Sequence, residues 1–221
     1  IDEEALKQQL LAYVGGFRTK GAVARKTVVR YQPVSGWTTY IVKGPEDAVD
    51  VALSARMPLT SANYLAACIS VMTIEHDLAE ALASSGMSFE VIFNCRIYPE
   101  ERINMLVTVY GVDEDGLALG QKGKRAIDAL ADVREVLSGL ASKNITDQQL
   151  EQYKAYLKNQ MSVDMKDPQY WVNAITARYL DGKDLTTGYA ANIDALTKED
   201  VKRVLALIDG GCKVEYVTEG N

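Results

Sequence analysis

The stretch SFEVIFNCRIYPEERINMLVTVYGV, residues 88–112, decides how this chain folds. Phe89, Val91 and Phe93 alternate with Glu90, Ile92 and Asn94, the period-two pattern of a strand that lays one face on a core. A second β-rich run, Ile103–Val112, follows it. Between the two, Tyr98-Pro99-Glu100-Glu101 carries turn chemistry, so the stretch predicts a hairpin of strands over Ser88–Ile97 and Ile103–Val112.

Working toward the N-terminus, the preceding segment has a helical period. Leu65, Ile69, Met72, Ala79 and Leu82 recur at spacings of three, four and seven, predicting a helix from an N-cap at Thr60 or Ser61 to about Ala83. Ser84-Ser85-Gly86 breaks it. Ahead of it, Thr38–Val42 and Val49–Met57 are β-branched runs separated by the turn Lys43-Gly44-Pro45-Glu46-Asp47, and Pro58 stops the second. Residues 17–35 are basic and irregular, like a linker or a surface strand. Asp2–Val14 predicts a first helix with Ala5, Leu6, Leu10 and Val14 on one side, ended by Gly15-Gly16.

Toward the C-terminus the chain is mostly helical. Lys124–Leu140 places Ile127, Leu130, Val133, Leu137 and Leu140 on one face. Thr146 with Gln149 has capping-box form and opens a helix carrying Leu150, Tyr153, Leu157 and Met161. Asp167-Pro168 opens another, with proline in its first turn, holding Trp171, Ile175 and Tyr179 up to Asp181-Gly182-Lys183. Thr197 opens the last, striped by Val201, Val204, Leu205 and Ile208 and closed by Gly210-Gly211. Lys213–Thr218 reads as a final strand. The order ββαββ, helices, β predicts an α+β fold in which a mainly antiparallel sheet is packed on one side by helices.

Bulk properties narrow the function classes. The chain has 221 residues, 48% of them hydrophobic and 24% charged, enough to bury a sizeable core. A net charge of −6 and a pI near 5.0 argue against a general nucleic-acid or anionic-membrane binder. No stretch reaches the length of a membrane span. Three cysteines (Cys68, Cys95 and Cys212) are odd in number and lack CxxC spacing, so a closed disulfide set is not expected. Compartment is left open, with periplasm or cytoplasm the expectation for a bacterial source. The chain shows no signal peptide and opens at Ile1, which favours a segment cut from something longer.

Catalytic chemistry meets an obstacle in the single histidine, His76, set in Met72-Thr73-Ile74-Glu75-His76. A zinc helix of the inverted type needs His-x-x-Glu-His, two imidazoles one turn apart with a Glu beside the second. The last two residues of that pattern are present, and Met72 stands where the first ligand would be. A thioether suits zinc poorly, since zinc takes thiolate, imidazole and carboxylate. With one histidine there is also no base for a Ser-His-Asp or Cys-His site unless His76 serves. An ordinary amphipathic helix explains the same residues without any chemistry.

Several blocks share an order that resembles the pitrilysin/insulinase-type zinc peptidases, including the mitochondrial processing peptidase subunits. They are Asp167-Pro168-Gln169-Tyr170-Trp171, then Tyr179-Leu180-Asp181-Gly182-Lys183-Asp184, Tyr189, and Ile193-Asp194-Ala195-Leu196-Thr197-Lys198-Glu199-Asp200-Val201 before a closing strand. Ile145-Thr146-Asp147-Gln148-Gln149-Leu150-Glu151 is similar to the family's start of an earlier helix, and Leu11-Ala12-Tyr13-Val14-Gly15-Gly16-Phe17 to the tail that closes a preceding module. The resemblance covers roughly residues 3–217. It implies a first segment, 1–35, that ends one module and links to a non-catalytic α+β module over 36–221.

In that family two or four such modules pair into halves that enclose a peptide. The first carries the zinc helix, completed by a Glu about 75 residues on, and the last contributes an Arg and a Tyr that hold substrate. Here the corresponding positions are Met72, Glu75, His76 and Glu151, the last lying 75 residues beyond His76. The resemblance thus implies a degenerate metal site, no catalytic residues, and zinc held by a partner catalytic module in cis or trans. Phe89 takes the place of the substrate-holding Tyr without its hydroxyl, and no Arg stands on the preceding helix end. Phe89 is therefore the one candidate peptide contact, with plain core packing beside it as the simpler reading. The expected function is a non-catalytic, substrate-enclosing domain of a zinc peptidase. The alternative is a degenerate scaffolding subunit that uses the same fold for association.

Other constellations have bland explanations. Asp164 and Asp167 flank two residues but lack a third acid, and Asp167 suits a helix cap. Asp113-Glu114-Asp115-Gly116 lacks the spaced acids of a calcium loop, and Gly120–Gly123 is too short to cradle phosphate.

Overall fold

The computed structural model of the chain describes residues 2–13, 35–44, 48–83, 87–111 and 126–220. The chain forms two units, Ile1–Arg30 and Tyr31–Asn221. In the first, one helix is described, α1 (Glu3–Tyr13). Asp2 caps it, its carboxylate accepting the backbone N–H groups of Glu4 and Ala5 at 3.1 Å each. Gly15-Gly16, most of the 17–35 linker, the turn at 45–47, Ser84-Ser85-Gly86 and the segments at 113–116 and 120–125 lie outside the described residues.

The second unit is built on a five-stranded sheet. Its strands are β1 (Gly36–Gly44), β2 (Ala48–Arg56), β3 (Met87–Arg96), β4 (Arg102–Gly111) and β5 (Cys212–Gly220), in the order β1-β5-β2-β4-β3. Three of the four pairings are antiparallel, and β1 with β5 is parallel. The helices are α2 (Ser61–Leu82), α3 (Leu130–Ser138), α4 (Asp147–Asp164), α5 (Pro168–Tyr179), α6 (Tyr189–Ala195) and α7 (Lys198–Asp209). The predicted α+β class and element order are those observed.

Local chemistry sets the helix starts. Thr60 caps α2 by accepting from the Asn63 N–H at 3.1 Å. Thr146 and Gln149 form the expected capping box on α4, and Thr197 with Asp200 forms another on α7. Two elements differ from expectation in detail. The helix predicted over Lys124–Leu140 is a 3-10 turn at Ala126–Ala129 running into α3, with a second 3-10 turn at Leu140–Ser142 after Gly139. The short α6 is an addition to the predicted elements: its N-cap is Gly188 at φ 67°, which supplies no side-chain cap to read.

One face of the sheet carries the core. Val49, Val51, Leu53 and Ala55 of β2 and Ile103, Met105, Val107 and Val109 of β4 join Leu65, Ile69, Ile74 and Leu78 of α2 and Val201, Val204, Leu205 and Ile208 of α7 in one buried cluster. Each such Val, Leu or Ile contributes about 1.5–3 kcal/mol by leaving water. Residues Leu65–Val71 of α2 are buried on nearly every side except Cys68, the mark of a helix enclosed by its neighbours.

The turn from α7 into β5 demands glycine at one point. A Cβ on Gly211 would lie 2.6 Å from the Ser54 carbonyl oxygen, so β5 can enter beside β2 only without a side chain there. Two charged residues of β5 occupy core-side positions. Glu215 is fully buried, accepting from Arg134 of α3 and from Thr39 of β1 at 2.7 Å. Lys213 sits over the Trp37 ring at 5.6 Å and pairs with Asp209 at 3.1 Å.

Candidate functional site

Helix α2 carries Met72, Glu75 and His76, whose spacing resembles part of a zinc motif, and α4 carries Glu151. Met72 is half-buried and packed against the core cluster. Glu75 is partly exposed, and burial pushes its pKa up. His76 is exposed, its Nδ1 3.8 Å from Asp77 Oδ1 and 3.9 Å from Glu80 Oε2. Glu151 is exposed on the second turn of α4, where it pairs with Lys154 at 3.2 Å.

Among the described residues, the group with donor atoms close enough to share an ion is therefore His76, Asp77 and Glu80, not the sequence-inferred set. Its chemistry fits zinc poorly. Lys143 Nζ lies 2.7 Å from Asp77 Oδ2, an ion pair without hydrogen-bond direction, and places a positive charge beside the donors. Nor does Met72, core-packed on this helix, offer zinc a suitable ligand. Nothing on this helix supports a hydrolytic step.

A thiol nucleophile finds no support either. Cys68 and Cys95 belong to a cluster with Tyr64 and Tyr189. Beside it lies a cavity of about 320 Å³ lined by Tyr64, Cys95, Met161, Tyr170 and Tyr189. Burial, with the neighbouring Cys95 adding to it, pushes the Cys68 thiol up to about 12, and burial pushes Cys95 up to about 11. Both are thiols rather than thiolates at neutral pH, and the thiolate is the nucleophile.

The other face of the sheet carries the side chains of opposite strand parity. Register places Thr38, Tyr40 and Val42 of β1 beside Val214, Tyr216 and Thr218 of β5, and these beside Ala52, Asp50 and Ala48 of β2. The rows continue through Leu106, Thr108 and Tyr110 of β4 to Ile92, Glu90 and Ser88 of β3. Tyr40, Tyr216, Ile92 and Leu106 are exposed large side chains on this face, and the two tyrosine rings lie 6.4 Å apart. Among the described residues, β1 and β3 are the outermost strands of the sheet. Phe89 points the other way: it is half-buried, paired with Val109 and packed on the core. The sequence does not single out Tyr40 and Tyr216, whose only signal is alternation within two short strands.

Neither a protein-family model nor a curated protein sequence matches the chain. Solved structures do. The ferredoxin protease FusC, in complex with Arabidopsis ferredoxin, superposes with a TM-score of 0.70 at 16% identity, over 100% of this chain and 24% of that one. The periplasmic protease PqqL from Escherichia coli gives 0.69 at 17% identity, again over 100% and 24%. An inactive peptidase domain from Pseudomonas fluorescens gives 0.53 at 14% identity, over 86% and 46%. The fold is that of a pitrilysin/insulinase-type zinc-peptidase module. The chain spans about a quarter of the length of the two proteases. Inactive peptidase domains are among the structures it resembles. Among its described residues, no helix is long and apolar enough to cross a membrane.

Proposed function

We propose that this chain is a non-catalytic module of a zinc peptidase, forming part of the wall that encloses a peptide. The observation that carries the reading is on α2: Met72, a thioether, stands half-buried against the core where the motif would need a first zinc ligand, while Glu151 is exposed and engaged with Lys154. Zinc, water and general base then belong to a catalytic module joined in cis or bound in trans. Residues 1–35 serve as the tail of a preceding module and a linker. The sheet face opposite the core, with the exposed tyrosines and aliphatic side chains of its described residues, is the surface turned to the peptide.

The test pairs the purified chain with a His-x-x-Glu-His module encoded beside it or upstream of it. The chain alone is expected to leave a quenched peptide intact with or without zinc, and the pair to cleave it faster than the catalytic module by itself. Zinc-dependent cleavage by the chain alone would overturn the reading. Tight association that leaves cleavage unchanged would favour a scaffolding role.

A further inference from the structure

We propose that Arg96 and Arg102, with the amide row beside them, form a carboxylate-binding subsite at one end of the open sheet face. Its ligand is an acidic side chain or the C-terminal carboxylate of an extended peptide. This deepens the peptide-enclosing reading and rests on it.

The register creates the site. Arg56 of β2 pairs with Arg102 of β4, and Arg102 pairs with Arg96 of β3, so three arginines stand in one cross-strand row. They share strand parity with Ser54, Asn104 and Asn94, which places them on the face opposite the core. Like charges directly opposed across strands are unfavourable, and here three occur together in a chain of net charge −6.

What the row grips is visible in the structure. Glu100 spans two of its members, one oxygen 2.7 Å from Arg56 Nε and the other 2.6 Å from Arg102 Nη1. Arg102 is held in place from behind, donating from Nε to Ser54 Oγ at 2.9 Å and from Nη2 to the Ser54 carbonyl at 3.3 Å. A guanidinium fixed in this way loses little freedom when it meets a ligand. The neighbouring acid, Glu101, is drawn off to Lys183 at 2.6 Å. Glu100 thus bridges Arg56 and Arg102, and no ion pair joins it to Arg96 among the described residues.

Arg96 is the member of the row outside that bridge. It is exposed at the end of an edge strand and has no hydrogen-bond or ion-pair partner among the described residues. It lines a cavity of about 540 Å³ together with Arg56, Arg102, Asn104, Pro99 and Cys212, which is room for side chains of an extended segment. In the next row Asn104 donates to Asn94 Oδ1 at 3.2 Å, leaving the Asn94 amide group to donate beside Arg96. One row further lie Ala52, Leu106 and Ile92, apolar and four residues along each strand from the arginines. The surface therefore reads cationic, amide, apolar, and fits a segment with a carboxylate at one end and an aliphatic residue four positions away.

Three labelled decapeptides, titrated into the full chain by fluorescence anisotropy, test this. One carries Asp four positions from Leu, with both termini blocked; the second has Asn for Asp; the third has Asn and a free C-terminus. The Asp peptide is expected to bind about tenfold tighter than its Asn counterpart, the scale of a charge-assisted hydrogen bond. Raising salt from roughly 50 to 300 mM should shrink the gap. The third peptide separates the two carboxylate sources: matching the Asp peptide assigns the site to chain termini, matching the Asn peptide to acidic side chains. Arg96→Gln, at an exposed position, should erase the preference without lowering the melting temperature. Glu100→Gln, which removes the carboxylate between Arg56 and Arg102, should raise affinity for the acidic peptide several-fold. Equal binding of charged and uncharged peptides, or a preference that survives Arg96→Gln, overturns the subsite and leaves the enclosing role intact. No binding by any of the three removes both.

Discussion

The pair formed by Arg134 and Glu215 fastens α3 across β5 and β1, and breaking it from the arginine side gives the sharpest energetic test of the structure. Glu215 is 0% exposed, whereas the Arg134 side chain is 46% exposed. Arg134 donates to both carboxylate oxygens and Thr39 donates to one of them. Burial raises the Glu215 pKa, but those hydrogen bonds and the positive charge outweigh it and hold the carboxyl below the usual carboxylate range. Arg134→Ala leaves Thr39 as the remaining named donor and the charge buried. Removing one partner of a buried pair costs about 3–5 kcal/mol, and the half-exposed arginine places this case near 3. For a chain of this size that is a fall in Tm of roughly 6–12 °C by far-UV circular dichroism.

The pH dependence makes the test specific. In the native chain the depressed pKa contributes stability present above the unfolded value and lost as pH falls through the folded one. In Arg134→Ala burial acts without its main counterweight, so the folded pKa rises above the unfolded value. The penalty is then largest at neutral pH and relieved as pH falls through that raised pKa. The gap in Tm between the two proteins should therefore narrow as pH falls from neutral through that raised pKa. Adding Glu215→Gln to Arg134→Ala should recover part of the loss, because the buried group no longer carries charge. A gap independent of pH, together with a double variant no more stable than the single one, would refute the account.

Three further outcomes are expected. Gly211→Ala, whose Cβ would meet the Ser54 carbonyl oxygen at 2.6 Å, should destabilise by about 1–3 kcal/mol in urea unfolding. A neutral result would mean that the turn into β5 gives way freely. Met72→His should not create tight zinc binding, since Glu151 is engaged with Lys154, and competition against a zinc chromophore would detect it if it did. Cys68 and Cys95, pushed up to about 12 and about 11, should alkylate slowly near neutral pH and faster as pH rises; rapid labelling at pH 7 would contradict their burial.

Strand and helix positions were legible because their signals are local. Phe89, Val91 and Phe93 alternate, Thr146 caps, and Pro168 starts a helix wherever the rest of the chain lies. The insertion of β5 between β1 and β2 had no such signal. It depends on pairing between residues some 175 apart, and on Gly211 letting two backbones approach. The arginine row was invisible for the same reason. Arg56, Arg96 and Arg102 belong to different strands, and each alone reads as a charge at a strand end. The motif at Met72, Glu75 and His76 was prominent in the sequence, yet packing disperses it, with Met72 half-buried against the core and His76 left beside Asp77 and Glu80.

These two cases share one cause. A motif contiguous along the chain is easy to see but does its chemistry only if packing turns its side chains to one point. A constellation assembled by register is silent in sequence, yet each sheet pairing fixes its members' spacing at about 5 Å. In this chain the contiguous motif sits on a helix whose apolar stripe includes Met72, half-buried against the core. The register-built arginines lie on the face that the core does not use, so nothing in folding competes for Arg96. The packing of α2 and the charge of the opposite sheet face therefore rest on different side chains, so a substitution at Arg96 can test the proposed subsite without disturbing α2.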